Sequence, residues 1–261
     1  MNDLIEKSSN AKNLFVIKSP LQMINAFEAI DYFKLTNNIL IVVENATSKN
    51  VLQIHNLIQQ HNWIEVIIIQ HGKSKFFQYL KLIHYLKKIQ FNFMIIGDLG
   101  NVTKAILANV NKKIIYYIDD GAATLKDYNN YIKVGKINKN NFKEFRYILF
   151  GLKIFVKDTI NMFTFLDLEP SEIKVIKHNF NYFKNKLIKD FTHSENIYFL
   201  GQPLEGYIKE ETYINYLTSL IRKFPNKKII YMSHRSENTS QKHQVKALEN
   251  DLFKFVENEM P

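Results

Sequence analysis

The 261-residue chain contains no cysteine. That excludes a disulfide framework, a thiolate metal site and a cysteine nucleophile. No apolar run is long enough to span a bilayer as a helix. The opening stretch, MNDLIEKSSNAKN, is polar and lacks the apolar core of a secretory signal; the sequence therefore predicts a cytoplasmic protein. Internal repeats are missing, and so are low-complexity tracts apart from a bias towards Asn, Ile and Lys. No two histidines have the spacing of a helical zinc site. Nucleic-acid signatures are also lacking: there is no helix-turn-helix pattern, no RNP-like aromatic set and no clustered basic stripe.

What is present describes a folded globular protein, 46% hydrophobic and 23% charged. There are 35 Lys and Arg against 25 Asp and Glu, a formal net charge of +10. Such a balance favours anionic partners, namely nucleotides, nucleic acid or an acidic membrane surface. Lysine drift in an AT-rich gene produces the same balance with no partner at all.

Short apolar runs alternate with amphipathic stretches through the first half. Strands are predicted at 13–19, 38–44, 64–70, 91–98 and 112–120, and helices at 20–34, 49–61, 76–89 and 101–110. Runs this apolar belong to strands buried on both faces, as in a parallel sheet with helices on each side. The middle is less regular, with a helix expected over 141–155, short strands in 161–170 and 172–180, and a helix over 181–191. The pattern then restarts. Strands are expected at 196–204 and 227–235, and helices at 209–224 and 242–259. Two strands and two helices make half of a nucleotide-binding domain. The expected fold class is α/β of the GT-B kind, with two Rossmann-like domains facing a cleft and the second incomplete. The expected domains are 1–175 and 176–261, with their junction somewhere in 170–195.

Ligands of open parallel sheets bind beyond the carboxyl ends of the strands. Those ends carry Lys18-Ser19-Pro20, Gly97-Asp98 and Asp119-Asp120-Gly121 in the first domain, and Gly201-Gln202-Pro203 and Ser233-His234-Arg235 in the second. Acids gather at one domain's edge and His with Arg at the other's. Asp119 and Asp120 are neighbours on a strand and point to opposite faces. Gly121 breaks the strand and allows close backbone approach. A carboxylate beside another has its pKa raised, which suits a general base. Asp120 is the first candidate for that role and Glu205 the second. Asp120 could equally cap a helix starting at Ala122. His234 is a candidate acid or phosphate donor, and Arg235 either grips a phosphate or is a solvated charge. Ser19 and Gln22 either touch an acceptor or cap the first helix. Asp98 is an acceptor ligand or an ordinary turn residue. The Phe76, Phe77, Leu80, Ile83, Leu86 stripe reads as helix core.

Four segments, FVIKSPLQMINAFEAI, YYIDDGAATL, FLGQPLEGYI and YMSHR, occur in an order that resembles the bacterial sialyltransferases of glycosyltransferase family 52, the lipooligosaccharide group. The resemblance covers about residues 13–240. It implies an inverting, metal-independent enzyme that moves sialic acid from CMP-sialic acid, or a related CMP-sugar, to a hydroxyl of a surface glycan. In that scheme a carboxylate takes the acceptor's proton, His234 assists the departing CMP, and Asp119, Gly121, Gly201, Gln202 and Ser233 line the substrates. The acidic pair is not the Asp-x-Asp pattern that holds a divalent cation in the other large glycosyltransferase fold. The chain departs from the family by carrying Arg235 where proline is usual, and by stopping at Pro261 before the family's serine motif. An impaired protein that binds saccharide or a partner chain is the alternative expectation. A homodimer that completes the half-domain and a peripheral contact with the inner membrane are expected as further possibilities.

Overall fold

The computed structural model describes residues 12–44, 48–70, 75–138, 142–187, 195–204, 208–234 and 237–257. Glu205 and Arg235 lie outside the described residues. The chain divides into two compact units, Met1–Ile188 and Lys189–Pro261.

In the first unit the order is β1 (Lys12–Ile17), α1 (Pro20–Phe33), β2 (Asn38–Val43), α2 (Ser48–Ile58), β3 (Glu65–Ile69), α3 (Lys75–Leu86), β4 (Gln90–Ile96), α4 (Asn101–Asn109), β5 (Asn111–Ile118) and α5 (Ala122–Asp127). A π-helical turn, Tyr128–Ile132, continues α5, and α6 (Phe142–Ile148), β6 (Asn161–Thr164), β7 (Val175–Lys177) and α7 (Asn181–Leu187) follow. The sheet runs β3-β2-β1-β4-β5-β6-β7 with every neighbouring pair parallel. All six residues of β2 and the last five of β1 are buried. That is why these runs read as continuous apolar stretches rather than as alternation. One hydrophobic layer holds Leu80, Ile83, Leu86, Ile106, Tyr117 and Tyr147, on the side of α3, α4 and α6. The opposite layer holds Phe15, Met23, Phe27, Ile54 and Tyr116, on the side of α1, α2 and α7.

The junction between units differs from the expected 175/176. β7 pairs with β6 in the large sheet. The buried Glu28 carboxylate accepts the N–H groups of Tyr182 and Phe183, each at 3.0 Å, and so fixes the start of α7 on α1. Residues 176–187 therefore belong with the first unit. The expected helix over 141–155 is shorter, because Gly151 at φ 69° ends the turn that follows α6.

The second unit contains β8 (Ile197–Leu200), α8 (Glu210–Lys223), β9 (Ile229–Ser233), α9 (Thr239–Lys246) and β10 (Phe253–Glu257). Its parallel sheet has the order β10-β9-β8. Tyr213, Leu217, Ile229, Tyr231, Val245 and Phe253 form its core. The single helix expected over 242–259 is corrected here. The helix stops at Lys246, Asn250 Oδ1 accepts the N–H groups of Leu252 and Phe253 at 2.8 and 3.0 Å, and a third strand follows. Buried Phe253 and Phe255 flank exposed Lys254, which is the period of a strand. Each unit is thus a Rossmann-like parallel α/β layer. No helix among the described residues is long and apolar enough to cross a membrane.

Candidate functional site

The first sheet changes direction between β1 and β4. The chain leaves β1 through α1 towards β2, and later returns through α3 to β4 on the other side of β1. The carboxyl ends of such a strand pair part and leave a crevice. Lys18 follows β1 and Asp98 follows β4, and Lys18 Nζ donates to Asp98 Oδ1 at 2.6 Å across that junction. Asp98 also accepts the Gly100 N–H at 2.5 Å and the Thr103 hydroxyl at 3.0 Å, holding the start of α4. A Cβ at Gly100 would fall 2.6 Å from Asp98 Oδ1. Asp98 therefore orders the turn and pairs with Lys18 at once.

Gln22 is fully buried and ties the two strand ends together. Its Oε1 accepts the Lys18 N–H at 2.7 Å, and its Nε2 donates to the Gly97 carbonyl at 3.0 Å. A Cβ at Gly97 would lie 2.2 Å from Gln22 Cδ, so Gly97 is a packing requirement. The expected acceptor contact by Gln22 is corrected: burial and these bonds make it a tie beneath the site.

Ser19 caps α1, with Oγ accepting the Gln22 N–H at 3.2 Å. The same hydroxyl donates to Asp120 Oδ1 at 2.6 Å. The Asp120 carboxylate, partly exposed, is thereby aimed along the edge towards β1. The helix after it does start at Ala122, but its N-cap is Gly121 and no side chain caps it. The Asp120 N–H instead donates to Thr124 Oγ1 at 2.7 Å. Gly121 sits at φ 66°, ψ −139°, a conformation that side-chain-bearing residues rarely adopt.

Asp119 goes the other way. It is 0% exposed, and its carboxylate accepts the Thr164 hydroxyl and the Phe165 N–H, both at 2.7 Å. Its carbonyl accepts from Asn25 Nδ2 at 3.2 Å. Burial pushes its pKa up, while those two donors pull it back. The expectation that Asp119 lines the substrate is corrected, since strand alternation turns it inward to fasten β5 to the end of β6. Behind it stands His178, stacked on Phe163 with ring centroids 4.5 Å apart, its Nε2 4.0 Å from Asp119 Oδ2 and without a hydrogen-bond partner. Burial lowers the His178 pKa to about 4, so the ring is neutral. Asp127, which the sequence did not single out, accepts the buried Tyr117 hydroxyl at 2.8 Å and also has its pKa raised, chiefly by burial. Long-range partners such as Thr164 and His178 leave no local signal in the chain.

In the second unit, β8 and β9 end side by side. The Gly201 N–H donates to the Met232 carbonyl at 2.8 Å, and the Gln202 carbonyl accepts from Gln241 Nε2 at 2.8 Å. Ser233 is buried, and its Oγ has no hydrogen-bond partner. His234 is fixed through its backbone, whose N–H donates to Glu237 Oε1 at 2.8 Å. The same oxygen accepts the Tyr231 hydroxyl at 3.0 Å, and Tyr231 meets Tyr213 at 3.0 Å. Burial raises the pKa of Glu237. A Cβ at Gly201 would sit 2.0 Å from Glu237 Oε1, so the glycine leaves the room that the carboxylate fills. Glu237 was missed in the sequence; its three-residue distance from His234 is the signal that could have found it.

Each unit therefore gathers its candidates at one sheet edge: Lys18, Ser19, Asp98, Asp120 and Gly121 in the first, and Gly201, Gln202, Ser233 and His234 in the second. Among the described residues no three His, Asp or Glu side chains are grouped as metal ligands.

No protein-family model matches the chain, and no curated protein matches it in sequence. Solved structures do match in fold. A Staphylococcus aureus MnaA–UDP structure is 13% identical at a TM-score of 0.55, covering 95% of this chain and 69% of that one. A UDP-N-acetylglucosamine 2-epimerase assignment from Listeria monocytogenes is 10% identical at 0.52, with 95% and 69% covered. The Neisseria meningitidis UDP-GlcNAc 2-epimerase bound to UDP-GlcNAc is 13% identical at 0.51, with 95% and 72% covered. None of these is a sialyltransferase. At such identities the likeness is one of fold, and the fold is GT-B, built from two Rossmann-like units.

Proposed function

We propose that the chain acts on a nucleotide sugar as an inverting glycosyltransferase, with CMP-sialic acid or a related CMP-sugar as donor and a glycan hydroxyl as acceptor. The observation that carries this reading is the Ser19–Asp120 contact at the carboxyl edge of the first sheet, 2.6 Å long. It holds a partly exposed carboxylate at the place where open α/β sheets take their ligands. Asp120 removes the acceptor proton as the hydroxyl attacks the anomeric carbon, through a transition state of oxocarbenium-ion character. His234, which follows β9 at the carboxyl edge of the second unit's own sheet, is the proposed donor to the leaving phosphate. The fold likeness to UDP-bound proteins supports a sugar nucleotide as ligand, and the four ordered motifs support the sialyl donor over a uridine one. In this reading no metal takes part, and the acceptor is a lipooligosaccharide or capsule glycan met at the membrane surface.

Calorimetry with CMP and UDP tests the donor. Wild-type protein binds CMP more tightly than UDP, and His234→Ala weakens CMP. Equal CMP affinity in the two proteins removes the donor assignment. A second reading, chemistry on UDP-GlcNAc, is favoured by the same fold likeness; tighter binding of UDP than CMP would select it.

A further inference from the structure

Three consecutive apolar residues, Ile148, Leu149 and Phe150, close α6 in the open, and Leu149 is 85% exposed. Backbone hydrogen bonds close the turn. The Gly151 N–H donates to the Ile148 carbonyl at 2.9 Å, and the N–H groups of Phe150 and Leu152 both donate to the Tyr147 carbonyl at 3.1 Å. Tyr147 itself is buried and anchors the turn. Phe77 of α3, 61% exposed, adjoins it, with its ring centroid 6.5 Å from that of Phe150. The helix-core stripe expected over residues 76–86 thus excludes Phe77. Contiguous exposed apolar side chains are costly in water and mark a surface that meets something.

The nearby stretches of chain are predominantly basic. Residues 75–86 and 145–157 contain Lys75, Lys81, Arg146, Lys153 and Lys157 and no acid, although Glu144 and Asp158 flank the second of them. Lys81 lies four residues beyond Phe77, on the same exposed face of α3. Past Gly151 the chain alternates buried Leu152, Ile154 and Val156 with exposed Lys153, Phe155 and Lys157.

We propose that this turn, with the first turn of α3, is a docking surface for an anionic lipid bilayer. Apolar tips with cations in the adjoining stretches of chain match acyl chains beneath acidic headgroups. A second copy of the chain fits less well, because a two-fold interface would set the same cations against themselves. Nucleic acid fits less well too: Phe77 and Phe150 offer rings, but the most exposed side chain, Leu149, is aliphatic and cannot stack on a base. The α3 end of this surface is at the carboxyl edge of the sheet: α3 starts where the chain has left the carboxyl end of β3, and Phe76 in its first turn packs on Phe150 at 5.6 Å. A membrane-held acceptor would therefore be presented to the Asp120 edge, and this last clause rests on the proposed transferase function.

The test is flotation with vesicles of phosphatidylcholine alone and of equal parts phosphatidylcholine and phosphatidylglycerol. The protein floats with the acidic vesicles and stays behind with the neutral ones. Leu149→Ser with Phe150→Ser lowers vesicle affinity about tenfold or more. Lys81→Gln with Lys153→Gln lowers it roughly fivefold per cation at low salt, and serves where the serine pair fails to fold. Transfer to a soluble acceptor is unchanged in both variants, and absence of any transfer leaves the flotation result standing. Failure to float with either vesicle overturns the proposal, as does equal flotation of wild type and variants. A patch-dependent dimer in light scattering, or patch-dependent oligonucleotide binding, without flotation also overturns it.

Discussion

Ser19 and Asp120 stand 101 positions apart in the chain and meet at 2.6 Å, the hydroxyl donating to the carboxylate while it accepts the Gln22 N–H of its own helix. One side chain thus caps α1 and orients the candidate base. Ser19→Ala removes both functions. The lost cap costs about 1 kcal/mol, visible as a lower denaturant midpoint. Turnover falls more than stability does, by roughly ten- to a hundredfold, because the carboxylate loses its register. A variant with full turnover would separate Ser19 from the chemistry.

Gly121 follows the acidic pair at φ 66°, ψ −139°, with Leu21 Cδ2 the nearest atom to a built Cβ at 3.8 Å. Space is available, so the constraint is conformational. Gly121→Ala destabilises the first unit by about 1–3 kcal/mol in urea titration. No loss would mean that the turn relaxes freely.

His178 gives the first unit a pH dependence. Its folded pKa of about 4 lies below its ordinary value of 6.5, because burial disfavours the charged ring. The unfolded chain therefore binds a proton between those values that the folded chain does not. Stability contributed by the neutral ring is present above pH 6.5 and is lost as pH falls towards 4. Asp119 acts in the opposite sense, since its raised pKa favours the folded state when protonated. Comparing wild type with His178→Gln isolates the histidine. Over that window the variant gains on wild type by roughly 3 kcal/mol, measured by thermal unfolding at each pH. Parallel pH profiles would show that the ring charges in the folded protein.

Gly201→Ala tests the second unit. The new methyl would lie 2.0 Å from Glu237 Oε1 and 2.5 Å from the Tyr231 hydroxyl oxygen. The carboxylate that holds the His234 N–H must move. The expected outcome is a loss of about 1–3 kcal/mol in the second unit's unfolding together with weaker nucleotide binding in calorimetry. Unchanged binding would detach the His234 turn from the ligand.

Much of this organisation was legible in the sequence because parallel strands buried on both faces are uninterrupted apolar runs. β1, β2, β4 and β5 announced themselves that way, and the strand ends then pointed to Ser19, Asp98, Asp120 and His234. β10 was hidden because Val245 and Leu248 keep a helical spacing up to the Asn250 turn, and Leu252 and Phe255 extend it by accident. The inward turn of Asp119 follows from alternation, but its partners Thr164 and Phe165 arrive from a strand more than forty residues on. Gln22, read as a contact or cap, is a tie between strand ends, which only the neighbouring Gly97 carbonyl reveals. Glu237 was overlooked because its role depends on the space left by Gly201, a relation between the segments that follow two different strands.

The most direct measurement is CMP release from CMP-sialic acid, with and without a panel of glycan acceptors, by wild-type protein and Asp120→Asn. Acceptor-stimulated release that falls a hundredfold or more in the variant, with CMP affinity unchanged, is the result predicted for a carboxylate that takes the acceptor's proton. Release that is equally fast in Asp120→Asn would contradict it.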